Sequence, residues 1–394
     1  MKVTVVEQGF RKRHPYRAVR DVLFRPYWFP VENAARELRD LGIRVAFESA
    51  LSDRALNSDV VILSSRTVDA MVAAGASGGR GEVCERAGSR GARVVWFDSR
   101  DSTGNCQFDV MPHVEIYLKR QLLRDRSLYA RRTYYGRVFS DYYHRSFGVS
   151  DGEVAELEGS VLTSGGQTHA CRDDEVMSDP TWATKMRAAW GCGAEFHWPQ
   201  LSGGDMPSYL GRRAVEAGLG IGGVRPATRP TESARDLDVA SLFDETRYGL
   251  ASVGYQRKLA LEHTRTLKGR AVAAGRVGRR DFYRTLAASK ITVSTFGWGE
   301  VCFREYEATY CGSAILMADM SHVETYPDFY RPGETYVPFR WDFSDFEAKI
   351  DEMMADPQAR VARAEAAQAL LIEQWTERGR QAFARRFAGL LAAS

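Results

Sequence analysis

The sequence has little that would tie it to a membrane, to nucleic acid or to secretion. No apolar run approaches the roughly 20 residues that span a bilayer, and the N-terminal "KVTVVEQ" lacks the basic-then-apolar layout of a signal peptide. Its 54 Lys and Arg residues nearly balance 51 Asp and Glu residues, which leaves a net charge of only +3. This balance does not require an anionic polymer or membrane as partner. We therefore expect a soluble, cytoplasmic protein without a nucleic-acid partner, and peripheral membrane association and oligomeric state stay open.

Metal-binding and disulfide patterns are also missing. The six cysteines include no CxxC pair and no Cys/His ligand spacing, so the sequence indicates neither a zinc module nor a disulfide framework. The acidic triplets "DLD" and "DDE" fall on a predicted strand and in a polar loop, without further ligands nearby. We expect a reducing compartment and no bound metal ion.

The chain contains the alternating pattern of a parallel α/β protein. Its 394 residues exceed the usual size of a single core, which predicts two domains. Apolar, β-branched runs such as "KVTVVE", "DVVILSS" and "ARVVWFD" alternate with helix-like segments in the first part of the chain. From "DLDVASLF" onward a second strand–helix series begins.

The domain boundaries follow from a stretch rich in glycine and proline, "GLGIGGVRPATRPTESARD". We predict an N-terminal α/β domain over 1–217, a linker over 218–236 and a second α/β domain over 237–372. Amphipathic helices close the chain, the last of them within 373–394.

One short stretch concentrates glycine, an aromatic and charge. "ITVST" predicts a strand, and "FGWG" supplies a flexible turn with Gly297, Trp298 and Gly299. In open α/β sheets, ligands bind at the carboxyl ends of the strands. A helix that starts there offers unpaired N–H groups suited to phosphate, and the glycines let the backbone approach a ligand.

The helix after this turn is predicted from about Glu300 to Tyr310. Its spacing places Glu300, Arg304 and Glu307 on one face. A plain Glu300–Arg304 ion pair on an exposed helix is the competing interpretation. Glu305 is expected to point well away from that face.

These residues resemble a known family. "FGWGEVCFREYEATYCGSAILMADMSH" and "ETYPDFYRPGETYVPFRWDFSDFEAKI" are similar to the donor-binding region of GT-B glycosyltransferases, especially the spore-maturation-type group, with a weaker likeness to exostosin-type enzymes. The resemblance covers about Gly269 to Ala355 and is thin upstream, in "WFDSRDS" and "YLKRQLL". It implies two facing Rossmann-like domains with an interdomain cleft, a nucleotide-sugar donor and no divalent metal.

The resemblance also implies roles for single residues. Glu307 matches the carboxylate that holds the donor ribose, and Arg304 matches an arginine near the diphosphate. Glu300 lies near a first glutamate of the family, one residue short of the commonest spacing, and is a candidate catalytic residue beside the donor sugar. Ser321 and His322 follow the next strand and are candidates to meet the donor, although a plain loop histidine is the alternative for His322.

Further candidates lie elsewhere in the sequence. Asp98 and Asp101, just past the fourth strand, are candidate bases for the acceptor hydroxyl, or else caps of the following turn. His14 and Arg17 lie in an Arg- and aromatic-rich stretch that suits an acceptor, or else in a solvated loop. Arg276 is a candidate diphosphate contact, with ordinary solvation as the alternative.

We therefore expect a metal-independent glycosyltransferase that moves a sugar from a nucleotide diphosphate sugar to a hydroxyl acceptor, as in polysaccharide biosynthesis. A nucleotide-sugar epimerase or hydrolase on the same fold is one alternative. A non-catalytic glycan- or nucleotide-binding partner of an assembly complex is another.

Overall fold

A computed structural model describes residues 1–8, 24–75, 78–150, 176–191, 231, 235–244, 251–374 and 376–392. The predicted acceptor residues His14 and Arg17 lie outside these ranges, as does most of the predicted linker over 218–236.

The first unit is built on a six-stranded sheet in the order β2-β1-β3-β4-β5-β7, with every neighbouring pair parallel. Its strands form where the sequence has apolar, β-branched runs, since both faces of the sheet are covered. The strands of this part of the chain are β1 (Lys2–Val6), β2 (Arg44–Glu48), β3 (Val60–Ser64), β4 (Arg93–Asp98), β5 (Ile116–Lys119), β6 (Gln121–Leu123) and β7 (Met186–Ala188). The helices are α1 (Phe24–Asn33), α2 (Ala35–Asp40), α3 (Asp53–Leu56), α4 (Ser65–Ala73), α5 (Arg80–Gly88) and α6 (Val138–Phe147).

Short 3₁₀ turns occur at Phe108–His113, Arg126–Ala130, Tyr134–Gly136 and Pro180–Lys185.

The second unit is built on a five-stranded sheet in the order β13-β11-β10-β8-β9, again parallel throughout. The strands are β8 (Leu237–Ser241), β9 (Val272–Ala274), β10 (Ser289–Ser294), β11 (Ala314–Ala318), β12 (Val323–Thr325) and β13 (Val337–Phe339). The helices are α7 (Ala251–Thr266), α8 (Arg279–Ala288), α9 (Phe303–Tyr310), α10 (Phe346–Ala355), α11 (Pro357–Glu373) and α12 (Glu377–Leu391). The predicted α/β fold class, with two units that are each built on a parallel sheet, is confirmed.

Three elements pack across the two units. Phe139 and Tyr143 of α6 are fully buried in the core of the second unit, although α6 precedes that unit in the chain. Phe383 and Phe387 of α12 pack into the core of the first unit. Strand β6 pairs antiparallel with β12, outside both main sheets. The chain therefore ties the two units together by exchanging segments between them.

Within the described ranges, no helix is both long enough and apolar enough to cross a bilayer.

Candidate functional site

The carboxyl ends of the two sheets meet in direct contact. The loop after β4 passes against the loop after β10 so closely that a Cβ on Gly299 would lie 1.7 Å from the carbonyl oxygen of Asp101. A Cβ on Gly297 would lie 2.9 Å from Sγ of Cys302. Gly299 is thus required by contact between the units, whereas the sequence argument assigned both glycines to the approach of a ligand.

Glu300 belongs to this junction and not to the helix. Helix α9 begins at Phe303 with Cys302 as its N-cap, so the predicted helix start at Glu300 is wrong. The fully buried Glu300 carboxylate accepts hydrogen bonds from the backbone N–H of Thr103 (2.9 Å), from its hydroxyl (2.7 Å) and from the Ser102 hydroxyl (3.2 Å). Its two oxygens are engaged by the first unit, which makes Glu300 a bridge between the units.

The side chain of Glu305 caps α9, which is why this helix begins at Phe303 and not at Glu300. Its Oε2 accepts a hydrogen bond from the Cys302 N–H (2.7 Å), which closes the first turn as a capping interaction. The carboxylate is fully buried and also accepts bonds from the hydroxyls of Ser294 and Tyr330. Burial raises its pKa to about 7, against the opposing effect of Arg304 and these bonds. Glu305 is therefore a buried group that caps the helix.

Three arginines converge at the carboxyl edge of the second sheet. Phe243 and Asp244 follow β8, and the guanidinium carbons of Arg304 and Arg257 lie 4.9 Å and 5.9 Å from the Phe243 ring centre. Arg257 donates to the carbonyl oxygen of Asp244 (3.1 Å). Nη1 of Arg276 lies 3.3 Å from the Asp244 carboxylate. We call Arg257, Arg276 and Arg304 the arginine cluster.

The arginine cluster combines fixed and adaptable charges. Arg257 is only 2% exposed, whereas 68% of the Arg276 side chain is accessible. Arg304 is oriented by its bonds to the Ser294 hydroxyl (2.9 Å) and the Thr295 carbonyl (3.4 Å). Such forked donors at a strand edge suit an anion with several oxygens, for example a diphosphate.

Sequence reasoning missed Arg257, although a signal was present. Helix α7 buries Val253, Ala260 and Leu261, and Arg257 lies four residues after the first of them on the same face. A charged residue within an apolar helix face is rarely buried unless it is paired. That pattern marks Arg257 as a candidate for binding.

Glu307 lies on α9, half-buried, next to the arginine cluster. Its Oε1 accepts a hydrogen bond from the Tyr283 hydroxyl of α8 (2.8 Å). Residues three apart on a helix are neighbours, so Glu307 lies beside Arg304. The helix thus presents a hydrogen-bond acceptor next to a cation.

His322 lies in the turn between β11 and β12, within electrostatic range of Glu300. Its Nε2 is buried and has no hydrogen-bond partner among the described residues. The ring packs edge-on against Trp341 and Phe296, with ring centres 5.1 Å and 6.4 Å away. Burial lowers the pKa of His322, outweighing the carboxylates of Glu300 and Asp319. The imidazole is therefore neutral at pH 7 and can accept or donate one hydrogen bond.

Ser321 and Trp298, two further residues predicted to bind the donor, form hydrogen bonds with other residues of the protein. Ser321 donates to the carboxylate of Asp319 (2.6 Å) within an exposed turn. The carbonyl oxygen of Trp298 accepts from Nε of Arg137 (2.8 Å), whose guanidinium lies 5.7 Å from the indole. Trp298 is therefore part of the contact between the units.

Asp98 is a buried structural group and not an accessible base. It is fully buried and accepts hydrogen bonds from the Tyr117 hydroxyl (2.6 Å), from Nζ of Lys119 (2.9 Å) and from the N–H of Arg100 (2.9 Å). Burial favours a higher pKa, but the charges of Lys119 and Arg100 outweigh it and hold the pKa of Asp98 below its ordinary value. A carboxylate held in this way is a weak proton acceptor.

Asp101 has the opposite environment. Its side chain is half exposed, and its Oδ1 lies 3.7 Å from Nη1 of Arg120. Since its backbone touches Gly299, Asp101 stands at the junction with access to solvent. Of the two aspartates predicted as bases, Asp101 is the one that a substrate can reach.

Within the part of the chain that the structure describes, no three His, Cys, Asp or Glu side chains are grouped so that they could hold a metal ion.

Comparison with solved structures finds likenesses along the whole chain at low similarity. Anabaena HepE in complex with UDP-glucose is 11% identical, with 99% of this chain and 100% of that chain covered and a TM-score of 0.38. T4 phage β-glucosyltransferase with UDP-glucose is 9% identical (99% and 99% covered, TM-score 0.36). A glycosyltransferase from Rickettsia africae is 9% identical (100% and 99% covered, TM-score 0.39). These values are too low to support an argument about activity.

No curated protein matches the sequence. A family model does match, over the second unit and the start of α12. Residues 231–385, which contain the arginine cluster, Glu307 and His322, match the family described as glycosyl transferase-like.

Proposed function

We propose that the protein is a GT-B glycosyltransferase that moves a sugar from a nucleoside diphosphate sugar to a hydroxyl acceptor without a metal ion. The observation that carries this proposal is the arginine cluster at the carboxyl edge of the second sheet, within the segment that matches a glycosyl transferase-like family.

The arginine cluster places positive charge where the diphosphate leaving group would form. When the bond between the sugar's anomeric carbon and the diphosphate oxygen breaks, negative charge grows on the diphosphate. The guanidinium groups of Arg257 and Arg304 at Phe243, and that of Arg276 at Asp244, offset that charge with forked hydrogen-bond donors. In this proposal they take the electrostatic role that a divalent ion has in other transferases.

Neighbouring groups suit the other parts of the donor. Glu307, held by Tyr283, offers its carboxylate to the ribose hydroxyls. Neutral His322 offers its buried Nε2 to a hydroxyl of the donor sugar. Gly297, Trp298, Gly299 and Ser321 shape the loops around these groups, and Glu300 fixes the two units against each other.

The proton of the acceptor hydroxyl is taken up by one of two groups, depending on the stereochemistry of the reaction. The acceptor oxygen forms a new bond to the anomeric carbon as the bond to phosphate breaks, and the hydroxyl proton leaves. In an inverting reaction Asp101 takes the proton, because it is the accessible carboxylate at the junction. In a retaining reaction the departing phosphate oxygen takes it.

Finer features rest on the sequence resemblance. We propose membership of the spore-maturation-type group, transfer of a hexosyl or related sugar, and a cytoplasmic role in polysaccharide biosynthesis.

The test combines a turnover assay with two variants, each of which loses the charge of one arginine. The protein is incubated with UDP-, GDP-, ADP- and dTDP-linked sugars in the presence of chelator, and nucleotide release is followed with and without acceptor sugars. Release that depends on acceptor supports the proposal. An isomerised sugar identifies an epimerase, free sugar a hydrolase, and nucleotide binding without turnover a non-catalytic protein.

Arg304→Gln removes one cation of the arginine cluster. We expect it to weaken nucleoside diphosphate binding by roughly ten- to a hundredfold, as for the loss of a charge-assisted hydrogen bond. Arg284→Gln is the matched control, because Arg284 is 67% exposed and pairs with Asp281 on the surface. Equal affinity for both variants and the parent would contradict a diphosphate site at Arg304.

A further inference from the structure

A cavity of about 580 Å³ lies apart from the arginine cluster. One wall is the segment 132–135, and the other is formed by Asp141, His144 and Arg145 of α6. We call it the α6 pocket. None of the candidate donor or base residues lines it.

The charges of the α6 pocket favour an anion. Arg132 and Arg145 supply two cations, and Asp141 is the single carboxylate. That carboxylate is engaged by the backbone N–H of Tyr134 (3.0 Å) and by Nε of Arg145 (2.8 Å). The lining therefore has a net charge of +1, from two Arg and one Asp.

The aromatic lining favours a sugar ring. Tyr134 and His144 stack in parallel, with ring centres 3.9 Å apart, and Tyr135 packs edge-on 4.8 Å from Tyr134. Aromatic rings with a polar atom present an apolar body and a hydrogen-bonding tip. This combination matches a pyranose, which has C–H faces and hydroxyl edges.

The tautomer of His144 adds an acceptor. Its Nδ1 lies 2.9 Å from the carbonyl oxygen of Val149. A carbonyl can only accept, so Nδ1 carries the proton and Nε2 of the neutral ring is the acceptor. A sugar hydroxyl is a suitable donor to it.

Tyr135 is held in an unfavourable backbone conformation in this wall. Its φ of 56° lies in the left-handed region that side chains with a Cβ rarely adopt. Strained residues of this kind occur preferentially at ligand sites.

The α6 pocket is directly connected to the junction between the two units. Gly136, next to Tyr135, packs its carbonyl against Gly104, where a Cβ would lie 2.3 Å from that oxygen. The next residue, Arg137, donates to the carbonyl oxygen of Trp298 in the second unit. The pocket wall is thus one to two residues from the loops that carry Asp101 and Gly299.

We infer that the α6 pocket binds the acceptor of the transfer reaction, and that this acceptor carries a sugar ring with a carboxylate or phosphate group. The identification of this ligand as the acceptor rests on the proposed function. Binding of an anionic sugar at the pocket does not depend on that function.

Binding is tested with three small probes: glucuronic acid, glucose 6-phosphate and glucose, each titrated by saturation-transfer NMR. We expect at least one anionic sugar to bind at least about tenfold more tightly than glucose, since charge-assisted bonds are lost with the neutral ring. The preferred probe separates the carboxylate from the phosphate. Equal binding of all three, or no binding, overturns the inference.

Three variants locate the site. Arg132→Gln is expected to weaken binding of the anionic probe about tenfold or more. Arg131→Gln is the control, because Arg131 is the exposed neighbour and does not line the pocket, and it should leave binding of the probe unchanged. Tyr135→Gly removes a ring but suits the backbone, so it should fold with an unchanged or higher thermal midpoint and still lose probe binding. Unchanged binding in Arg132→Gln and Tyr135→Gly overturns the inference.

Nucleotide titration separates the two proposals. The same three variants should keep the parent's affinity for the nucleoside diphosphate, and Arg132→Gln should raise the acceptor KM more than it lowers kcat. Anionic-sugar binding in a protein that neither binds nor turns over any nucleotide sugar would support the pocket and refute the proposed function. Nucleotide turnover without anionic-sugar binding would refute the pocket alone.

Discussion

The buried carboxyl of Glu305 makes the stability of the second unit depend on pH. The group accepts bonds from Ser294, Cys302 and Tyr330 and lies near Arg304, yet burial raises its pKa from 4.5 to about 7. A raised pKa means that the folded state binds the proton more tightly than the unfolded chain does. The contribution is fully present below pH 4.5 and is lost as the pH rises through 7.

The size of the effect follows from the shift. A difference of about 2.5 pKa units at about 1.36 kcal/mol each corresponds to roughly 3 kcal/mol between pH 4.5 and pH 8. The other titratable groups in contact do not interfere, because burial raises the pKa of Cys302 to about 12 and that of Tyr330 well above its ordinary value.

The assay is urea unfolding of the parent and of Glu305→Gln at several pH values. Gln has nearly the same shape and cannot ionise, so titration of His322 and the surface groups cancels in the difference. We expect the parent to lose roughly 3 kcal/mol relative to Glu305→Gln from pH 4.5 to pH 8. A flat difference, or a parent that gains stability with pH, would show that the hydrogen bonds and Arg304 dominate over burial, and our account of Glu305 would fail.

Further predictions concern packing, the donor site and metal ions. Gly299→Ala should cost about 1 to 3 kcal/mol in urea unfolding, because its Cβ meets backbone of the first unit, whereas Gly389→Ala, with open space around it in α12, should be neutral or stabilising; equal effects would contradict the contact. Glu307→Ala should weaken nucleoside diphosphate binding in calorimetry by roughly ten- to a hundredfold, and Glu262→Ala, an exposed helix glutamate paired with Lys258, should not; no loss for Glu307→Ala would remove it from the donor site. Activity should survive chelation, and an enzyme silenced by chelator and restored by a divalent ion would refute metal independence.

The sequence alone predicted the architecture because its signals are local. Buried parallel strands appear in the sequence as β-branched apolar runs, and these runs located β1, β3, β4, β8 and β10 within a residue or two. The helices between them follow from their period of 3.6 residues. The order of strands and helices also indicated the carboxyl edge of the second sheet as the candidate ligand-binding site.

Tertiary contacts decided what the individual residues do. The sequence placed Glu300 on a helix face, but the cap made by Glu305 starts the helix at Phe303, and donors about 200 residues earlier in the chain engage Glu300. Asp98 and Asp101 are three residues apart, and only the surrounding structure makes one a buried ion-pair partner and the other accessible.

The α/β class, the approximate strands and the location of a charged loop after β10 could all be predicted from the amino-acid sequence. Three further features became visible in the folded protein: Arg257 joins Arg276 and Arg304, α6 packs into the second unit, and the backbone of Asp101 leaves no room for a side chain at position 299. Secondary structure depends mainly on neighbours along the chain, whereas ion pairing, burial and pKa depend on atoms that folding brings within a few ångströms of one another.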